Sequence, residues 1–430
     1  LSQIFDHESG RIIDDVTLLR NSSHVPLIVD CVRQICLAFK KVELDCTPKR
    51  VQSALDNFAE IERSFEMFTL SGEAECEFSR TAACLWDNIM GVIRLDMLVP
   101  RHGPGATSER ISGNQKFVWR KWHERLEPYF PFLDTAYTMG SFDSTEFEKL
   151  SFISEDQESP VRVTPVPKTL KGPRIIAIEP VCMQFAQQGI RDALYRAIEN
   201  SWMTRGHVNF RDQSINQTLA IDASMTGSLA TIDLKDASDR VPLNLALKMF
   251  DGNPDLRDAI DACRSRYALM PDGKTTIGPL RKFASMGSAL CFPVEAMYFY
   301  TICVMALLRD ANLPVSSRNC YYVSRSIYVY GDDIIVPADN AGTVLDYLQK
   351  YNCKVNHSKT FVTGKFRESC GMDAYDGVEV TPTYIRCNQP KNRQQASQLI
   401  SWVSTANHFY KKGYWRTASH MFSICEKILG

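Results

Sequence analysis

Two adjacent carboxylates, Asp332 and Asp333, lie between two short apolar segments, 326–330 and 334–337. The β-branched residues on either side predict two strands, and Gly331 supplies the backbone freedom that a tight turn between them requires. Two carboxylates at the tip of a hairpin repel each other and destabilise it unless a cation lies between them. An acidic surface turn is the alternative, so the pair alone does not establish a metal site.

A third carboxylate, Asp233, follows a separate apolar segment, 230–232, much earlier in the chain. If these segments form neighbouring strands, the three carboxylates meet at one edge of a sheet. Magnesium prefers oxygen ligands and leaves coordination positions open for phosphate oxygens. Two such ions about 3.5–4 Å apart stabilise both the attacking and the leaving oxygen of an in-line displacement. The trio Asp233, Asp332 and Asp333 therefore predicts nucleotidyl transfer with two Mg²⁺ ions, for which Mn²⁺ is a substitute.

Two basic segments could bind polyphosphate. Residues 166–174 carry three cations at three-residue spacing before a β-branched run, which predicts a loop that leads into a strand; they are Lys168, Lys171 and Arg174. Residues 101–125 interleave cations with aromatic side chains. Such a run is usually a solvated surface, but the aromatic side chains also suit contacts to phosphates and bases. Its cations are Arg101, Arg110, Lys116, Arg120, Lys121 and Arg125.

The elements that must position these groups alternate between helix and strand. Thr47 is a candidate helix cap before Pro48, and apolar residues then recur every three or four positions, which predicts a helix with one buried face. The first hundred and the last sixty residues are predicted to be mostly helical. Strands and helices alternate between them, with a strand over 354–362, which indicates an α+β fold. The apolar segment 291–308 contains Glu295, so it predicts a buried core helix, not a membrane span.

Composition narrows the function classes. The 430 residues are 44% hydrophobic and 23% charged, which is typical of a globular chain of two to four units. Lys and Arg number 49 against 50 Asp and Glu; the net charge of −1 excludes a uniformly basic nucleic-acid coat but allows a local basic channel.

The 14 cysteines include no C-x-x-C pair, which predicts reduced thiols and no zinc ribbon. The chain starts at Leu1 without a signal segment, and we expect its natural start to be lost.

Motifs of other enzyme classes fit poorly. Residues 272–276 (DGKTT) are similar to the end of a phosphate-binding P-loop, but Ala268 stands where that loop needs a glycine. An Asp-Gly hairpin turn is the better interpretation. The serine-hydrolase motif G-x-S-x-G and the zinc-protease motif H-E-x-x-H do not occur, since His123 is followed at the required position by Glu127.

Taken in order, the motifs resemble those of viral RNA-dependent RNA polymerases, and more narrowly the replicase subunit of single-stranded RNA bacteriophages of the Qβ type. A lone GDD triplet is weak evidence, whereas an ordered set over about residues 100–390 is specific. The matching segments are 101–106 (RHGPGA), 166–180 (VPKTLKGPRIIAIEP), 212–217 (DQSINQ), 232–239 (IDLKDASD), 285–288 (SMGS) with Phe292 and Glu295, 330–333 (YGDD), 356–361 (NHSKTF), 366–371 (FRESCG) and 380–382 (VTP).

This resemblance implies a right-hand polymerase with fingers, palm and thumb, whose antiparallel-sheet palm carries the GDD hairpin. A fingers insertion is expected near 250–282, and the thumb is expected to be short or truncated because family members continue further. The implied domains are a helical region bridging fingers and thumb (1–100), fingers (101–225), palm (226–365), and a primer-supporting hairpin with a helical thumb (366–430).

The resemblance also implies residue roles. Lys359 matches the position of the general acid for pyrophosphate, although it could be an ordinary lysine at a strand edge. Asp239 matches a residue that bonds the ribose hydroxyls, although it could cap the helix that follows. Ser285 and Gly287 match the loop that meets nucleotide and template. The implied catalytic residues are Asp233, Asp332, Asp333 and Lys359, of which the three aspartates bind metal; the nucleotide-binding residues are Lys168, Lys171, Arg174, Asp239, Ser285 and Gly287.

Some positions depart from the family pattern. Ser288 and Ala289 stand where Asn-Gly is usual in the family. The hydroxyl of serine has a shorter reach than the side-chain amide of asparagine. Asp239 is therefore expected to carry more of the ribose discrimination. Two other charged groups have structural interpretations: Glu295 as a paired carboxylate inside its helix, and residues 367–368 as an ion pair with each other.

The implied function is RNA-directed synthesis of RNA from ribonucleoside triphosphates to replicate a positive-strand phage genome, in the cytoplasm of the infected bacterium and without a membrane. The implied partners are the RNA template and product and, through the family alone, host elongation factors Tu and Ts. A reverse transcriptase-like polymerase is the main alternative; Gly331 and Asp239 disfavour it, because those enzymes typically have a larger residue before the Asp pair and lack the second carboxylate. A decayed polymerase that only binds RNA is a further alternative, which the intact trio of aspartates disfavours.

Overall fold

The computed structural model describes residues 25–111, 113–137, 148–169 and 172–430, so the predicted phosphate-binding Lys171 lies outside the described residues. The helices are α1 (Val25–Leu37), α2 (Pro48–Ser64), α3 (Gly72–Met90), α4 (Phe132–Thr135), α5 (Val181–Asn200), α6 (Ser214–Thr226), α7 (Leu243–Lys248), α8 (Pro254–Ala262), α9 (Cys291–Asp310), α10 (Ser317–Ser324), α11 (Ala341–Lys350), α12 (Ala396–Lys411) and α13 (Trp415–Leu429).

The strands are short and belong to several small sheets. They are β1 (Lys121–His123), β2 (Ser151–Ile153), β3 (Val161–Thr169), β4 (Gly172–Ile178), β5 (Leu229–Ile232), β6 (Leu234–Lys235), β7 (Ala268–Leu269), β8 (Thr276–Ile277), β9 (Tyr328–Tyr330), β10 (Asp333–Pro337), β11 (Lys354–Val355), β12 (Phe366–Ser369), β13 (Met372–Tyr375) and β14 (Val378–Glu379). This mixture of helices and mainly antiparallel strands agrees with the predicted α+β class.

The central sheet has the order β5-β10-β9, with both pairings antiparallel. Its apolar residues, such as Ile232 and Ile334, are buried because α9 covers one face of the sheet. The helix is buried along nearly its whole length and packs against α3, α10 and α11, in part through the Trp86 indole, which donates to Thr301 Oγ1 at 2.8 Å. It is the described helix that is long and apolar enough to cross a membrane, but 94% of its apolar window is buried inside the protein, as predicted for a core helix.

A second sheet, β4-β3-β7-β8, carries one of the basic segments on β3 and β4. The predicted helix over 48–64 forms as α2 and packs its buried face, which includes Leu55 and Phe58, against this sheet. Thr47 precedes α2, but its side chain makes no capping hydrogen bond. The segment 272–276 is a hairpin turn between β7 and β8, as expected, with Gly273 at a φ of 70°.

The third sheet, β12-β13-β14, lies against α1, so an early helix covers strands from the last quarter of the chain. Arg33 of α1 pairs with Asp373 and donates to the carbonyl of Val380 at 3.2 Å. Helices α12 and α13 pack on each other around a separate apolar cluster that includes Trp402 and Met421. The last sixty residues are therefore only partly helical, because they also contain β13 and β14.

Glu179 follows β4 and is buried, with its carboxylate accepting from Ser265 Oγ at 2.5 Å. Burial raises its pKa to about 7, although Ser265 and Gln187 oppose the rise. Since the folded-state pKa exceeds the unfolded one, this group contributes stability that is present below about pH 4.5 and is lost as the pH rises through about 7. We expect the free energy of unfolding, measured by urea denaturation, to fall between pH 5 and pH 8 by less in Glu179→Gln than in the wild type. Equal falls in the two proteins would contradict this prediction. The control is Glu379→Gln, at an exposed position, which should behave as the wild type does.

Candidate active site

The hairpin β9-β10 places the acidic pair at its turn, with Asp333 opposite Tyr330 in the ladder. Gly331 has a φ of 61°, a left-handed conformation that favours glycine. A Cβ atom at this position would lie 2.1 Å from Cε2 of Phe292, whose ring also packs edge-on against Tyr330. The turn can therefore accept only glycine without displacing the Phe292 ring.

Asp233 lies at the same end of the central sheet as the turn. Strand β5 runs antiparallel to β10 with Ile232 opposite Ile334, so one further step along the two strands brings Asp233 opposite Asp333. Opposed residues of an antiparallel pair have Cβ atoms about 4.5–5.5 Å apart. The structure thus brings the three predicted carboxylates together, although they lie far apart in the sequence.

The pKa values of the two hairpin carboxylates, Asp332 and Asp333, are both raised. Loss of solvation raises the pKa of Asp333 to about 7, and the charges of Asp332 and Asp233 add to the rise. Asp332 keeps a solvent-exposed surface, yet the protein around it and the charge of Asp233 raise its pKa as well, against the opposing charges of Lys168 and Arg174. Negative charge is in excess at this point, which is the electrostatic condition that a bound cation relieves.

Hard divalent cations fit this site by the type of its ligands, which are carboxylate oxygens. In the described ranges no three His, Cys, Asp or Glu side chains are already gathered into a formed metal cage. At Asp233 both carboxylate oxygens accept hydrogen bonds: Asn356 Nδ2 donates to Oδ2 at 2.6 Å and Lys359 Nζ to Oδ1 at 3.4 Å. Each oxygen keeps a further lone pair, so the residues fit a metal by chemistry and proximity, with Asn356 and Lys359 orienting Asp233.

Lys359 bridges two acids, since its ammonium also lies 3.2 Å from Glu368. Burial lowers its pKa, but the charges of Glu368 and Asp233 outweigh burial and raise the pKa above the ordinary lysine value. The predicted strand over 354–362 is wrong beyond β11. The chain turns after Val355 because Asn356 and Lys359 reach back to Asp233, and the Asn356 amide donates to the Asp233 carbonyl at 2.9 Å.

The hairpin formed by β12 and β13 touches the acids from another side. At its turn, the Cys370 amide donates to Asp333 Oδ1 at 3.0 Å. Helix α6, which carries the 212–217 motif, holds this turn, because Gln217 donates to the Cys370 carbonyl at 3.1 Å. The motif thus positions the hairpin relative to Asp333.

The suggested ion pair between residues 367 and 368 is wrong. The Arg367 side chain is fully buried and donates to backbone carbonyls, among them Leu229 at 2.7 Å and Gly364 at 2.9 Å. These contacts join β12 to β5 and the preceding loop. Glu368 is left to pair with Lys359, so Arg367 supports the fold while Glu368 belongs to the acidic site.

A cleft of about 500 Å³ opens beside Asp332, and most of the predicted nucleotide-binding residues line it. Burial and the charge of Arg174 lower the pKa of Lys168. A cleft of about 580 Å³ between the ends of α3 and α5 contains none of the acidic trio. Residues that line the cleft beside Asp332 include Lys168, Arg174, Asp239, Gly287 and Glu295.

Asp239 does not cap a helix. It lies in the 3-10 turn Ser238–Arg240, and α7 begins only at Leu243 without a side-chain cap. Its Oδ1 instead accepts from Ser285 Oγ at 2.7 Å and from Lys282 Nζ at 2.9 Å. The capping alternative is therefore excluded, and Asp239 lies in the cleft with one oxygen anchored.

The loop around Gly287 lies directly on β4. Gly287 has a φ of 128°, and a Cβ there would lie 2.1 Å from the Ala177 carbonyl oxygen. The hydroxyl of Ser288, the departure from the family pattern, donates to Gln187 Oε1 at 3.2 Å and makes no hydrogen bond to Asp239 in the part of the chain that the structure describes. Ser288 therefore does not anchor Asp239, although both residues line the cleft.

Glu295 is buried in α9, and burial, together with the charges of Asp332 and Asp239, raises its pKa well above the ordinary value. Among the described residues no cation pairs with it; its contact is with Cys291 Sγ at 3.9 Å. The prediction of a paired structural carboxylate is therefore wrong.

The basic segment 101–125 is internal only in part. Lys116 is buried and donates to the carbonyl of Gly103 at 2.7 Å, and Arg125 is buried against Glu158. Trp119 and Trp122 pack with other aromatic rings in the core. These groups belong to the fold, whereas Arg110, Arg120 and Lys121 are exposed, as expected for a solvated basic surface.

Sequence reasoning missed Lys282 and the contribution of α2. Lys282 lies three residues before Ser285, so its proximity to a recognised motif was the available signal. Phe58 of α2 contacts the Lys282 ammonium. The sequence does not indicate this contact, because the apolar spacing of α2 predicts only a buried helical face.

Comparisons with known proteins identify relatives of this chain. Residues 145–400 match the family model described as RNA replicase, beta-chain. The RNA-directed RNA polymerase beta chain of Escherichia phage MS2 is 38% identical over 235 residues, 55% of this chain and 39% of the relative. The RNA-directed RNA polymerase subunit beta of Qbeta virus (strain MX1) is 32% identical over 285 residues, 66% of this chain and 44% of the relative. The chain thus spans less than half the length of these relatives.

Among solved structures, the RNA-dependent RNA polymerase of a human picorbirnavirus aligns with a TM-score of 0.43 at 11% identity, covering 62% of this chain and 55% of that chain. The family model covers over half of the residues, including the acidic trio and most of the residues that line the cleft. The chain belongs to the RNA replicase beta-chain family.

Proposed function

We propose that this chain is an RNA-dependent RNA polymerase that joins ribonucleotides on an RNA template. The observation that carries the proposal is the meeting of Asp233, Asp332 and Asp333 at one end of the central sheet, beside a cleft that Lys168 and Arg174 also line. A right-hand arrangement with the palm over 226–365, fingers before it and a thumb after it is part of the proposal. The central sheet and its hairpin support the palm assignment.

The residues of the acidic site and of the cleft would have different roles. Asp233, Asp332 and Asp333 would hold two Mg²⁺ ions, which when bound stabilise the attacking and leaving oxygens. Lys168 and Arg174 would hold the triphosphate, since fixed cations offset charge that develops during transfer. Lys359 would protonate pyrophosphate, because its ammonium is charged at neutral pH and lies beside Asp233.

The geometry favours ribonucleotide polymerisation over a reverse transcriptase. The Phe292 ring occupies the space that a side chain at position 331 would need, and Asp239 lines the cleft where it can accept from a 2′-hydroxyl. Template and product RNA are the proposed macromolecular partners, in the cytoplasm of an infected bacterium. Host factors Tu and Ts are proposed as partners from the family resemblance alone.

The test is incorporation of labelled rNTPs and dNTPs on an RNA template by the purified chain with no other protein added. We expect Mg²⁺-dependent incorporation of rNTPs that exceeds that of dNTPs by about a hundredfold or more, because a site built to bind a hydroxyl rejects the analogue that lacks it. Preference for dNTPs would indicate a reverse transcriptase. RNA binding without incorporation, with or without Tu and Ts, would indicate a decayed polymerase.

A further inference from the structure

Lys282 is a lysine with no solvent-exposed side-chain surface. Burying an ammonium group is costly unless it is paired and hydrogen-bonded. Its Nζ donates to Asp239 Oδ1 at 2.9 Å and lies 3.5 Å from the centre of the Phe58 ring. A carboxylate on one side and an aromatic face on the other compensate the charge in the absence of water.

The contact sets the orientation of Asp239. Both hydrogen bonds that this carboxylate accepts, from Lys282 and from Ser285, end on Oδ1. Within the described ranges Oδ2 accepts none, and Asp239 lines the cleft beside Asp332. One oxygen is thus anchored by two donors while the other remains available to a ligand.

Helix α2 fixes the lysine in place. Phe58 is buried on the face of α2 that packs against β3 and β4. One turn further on, the Glu62 carboxylate accepts from the backbone amide of Arg281, the residue before Lys282. The helix therefore holds both the backbone and the ammonium group of this position.

We propose that Lys282, backed by Phe58, is a positioning residue that orients Asp239 for recognition of the ribose 2′-hydroxyl. The inference rests on the proposed function and names a determinant of its substrate selection. A deoxynucleotide offers no 2′-hydroxyl to Asp239, so loss of the orientation affects ribonucleotides selectively. A residue that only stabilised the fold would affect both substrates alike.

Lys282→Met keeps the length of the side chain and removes its charge. We expect kcat/KM for rNTPs to fall about tenfold, mainly through KM, since a hydrogen bond to a charged group is worth about that factor. The value for dNTPs should stay within about twofold. Phe58→Leu keeps the ion pair and should shift the ratio about threefold in the same direction, so it serves as the second variant if Lys282→Met does not fold. Lys350→Met, at a surface pair with Glu77, is the matched control.

A coupling test completes the design. Asp239→Asn alone should lower the rNTP to dNTP ratio, and adding Lys282→Met to it should change the ratio no further, because both act through one carboxylate. Equal losses for rNTPs and dNTPs, or effects of the two substitutions that multiply, would overturn the inference while leaving the polymerase function standing. A wild-type chain that incorporates no nucleotide would overturn both.

Discussion

Replacing Asp332 by asparagine is expected to reduce RNA-templated nucleotide incorporation by about a thousandfold or more. A bound metal supplies several kcal/mol of transition-state stabilisation, and each 1.36 kcal/mol is a factor of about ten in rate. Asparagine keeps the size of the side chain but loses the negative charge that holds a divalent ion. Single-turnover incorporation with saturating rNTPs measures this effect on chemistry separately from binding.

The same substitution should not weaken the fold. Loss of solvation, and after it the neighbouring negative charges, raise the pKa values of Asp332 and Asp333, so removing the charge of Asp332 relieves both costs. We expect the metal-free variant to unfold at the wild-type temperature or above it. Asp339→Asn, an exposed acid beyond the other end of β10, is the control and should retain wild-type incorporation. Substantial incorporation by the Asp332→Asn variant would remove the basis of the metal assignment.

Gly331→Ala is expected to destabilise the protein by about 2–5 kcal/mol and to abolish most incorporation. The left-handed backbone costs about 1–2 kcal/mol for a residue with a Cβ, and overpacking in a filled site adds about 1–3 kcal/mol. The added atom would meet the Phe292 ring, so the turn that carries Asp332 and Asp333 must shift. Urea denaturation measures the loss of stability, and incorporation measures the displacement of the acids.

The control is Gly342→Ala in helix α11, where a Cβ meets no atom within 4 Å. Replacing a helical glycine by alanine stabilises by about 0.5–1 kcal/mol, so the two alanine substitutions should have opposite signs. Adding Phe292→Leu to Gly331→Ala should recover part of the stability, because it removes the atoms that clash. A Gly331→Ala protein as stable as the wild type would show that the turn tolerates a side chain.

The acidic site was predictable because each aspartate stands at the end of a β-branched run, and strand ends of one sheet meet. Asp233 and the hairpin could be placed from such local patterns alone. Lys282 and Phe58 could not, because their significance comes from packing between a helix and a loop that are distant in the chain. The one local signal, the position of Lys282 three residues before Ser285, does not indicate a buried ammonium on an aromatic face.

Two features that the sequence did not predict share a cause. In residues 101–125 two of the cations are paired with groups that no local pattern reveals, Glu158 for Arg125 and Asp192 for Arg101. Over 354–362 the sequence predicts a continuous strand, but polar contacts to Asp233 turn the chain. In both segments the conformation depends on pairing with residues that are distant in the chain, and the local sequence does not identify those partners.

Because α1 packs on β12–β14, its apolar face has no partner until late in the synthesis of the chain on the ribosome. Arg33 and its acceptor Val380 are separated by 347 residues. At roughly 5–20 residues per second, the apolar face of α1 waits roughly 20–70 s before the strands that cover it have been synthesised. Until then the nascent chain exposes Val25 and Val29, and a chaperone that shields apolar helices should bind it in this interval.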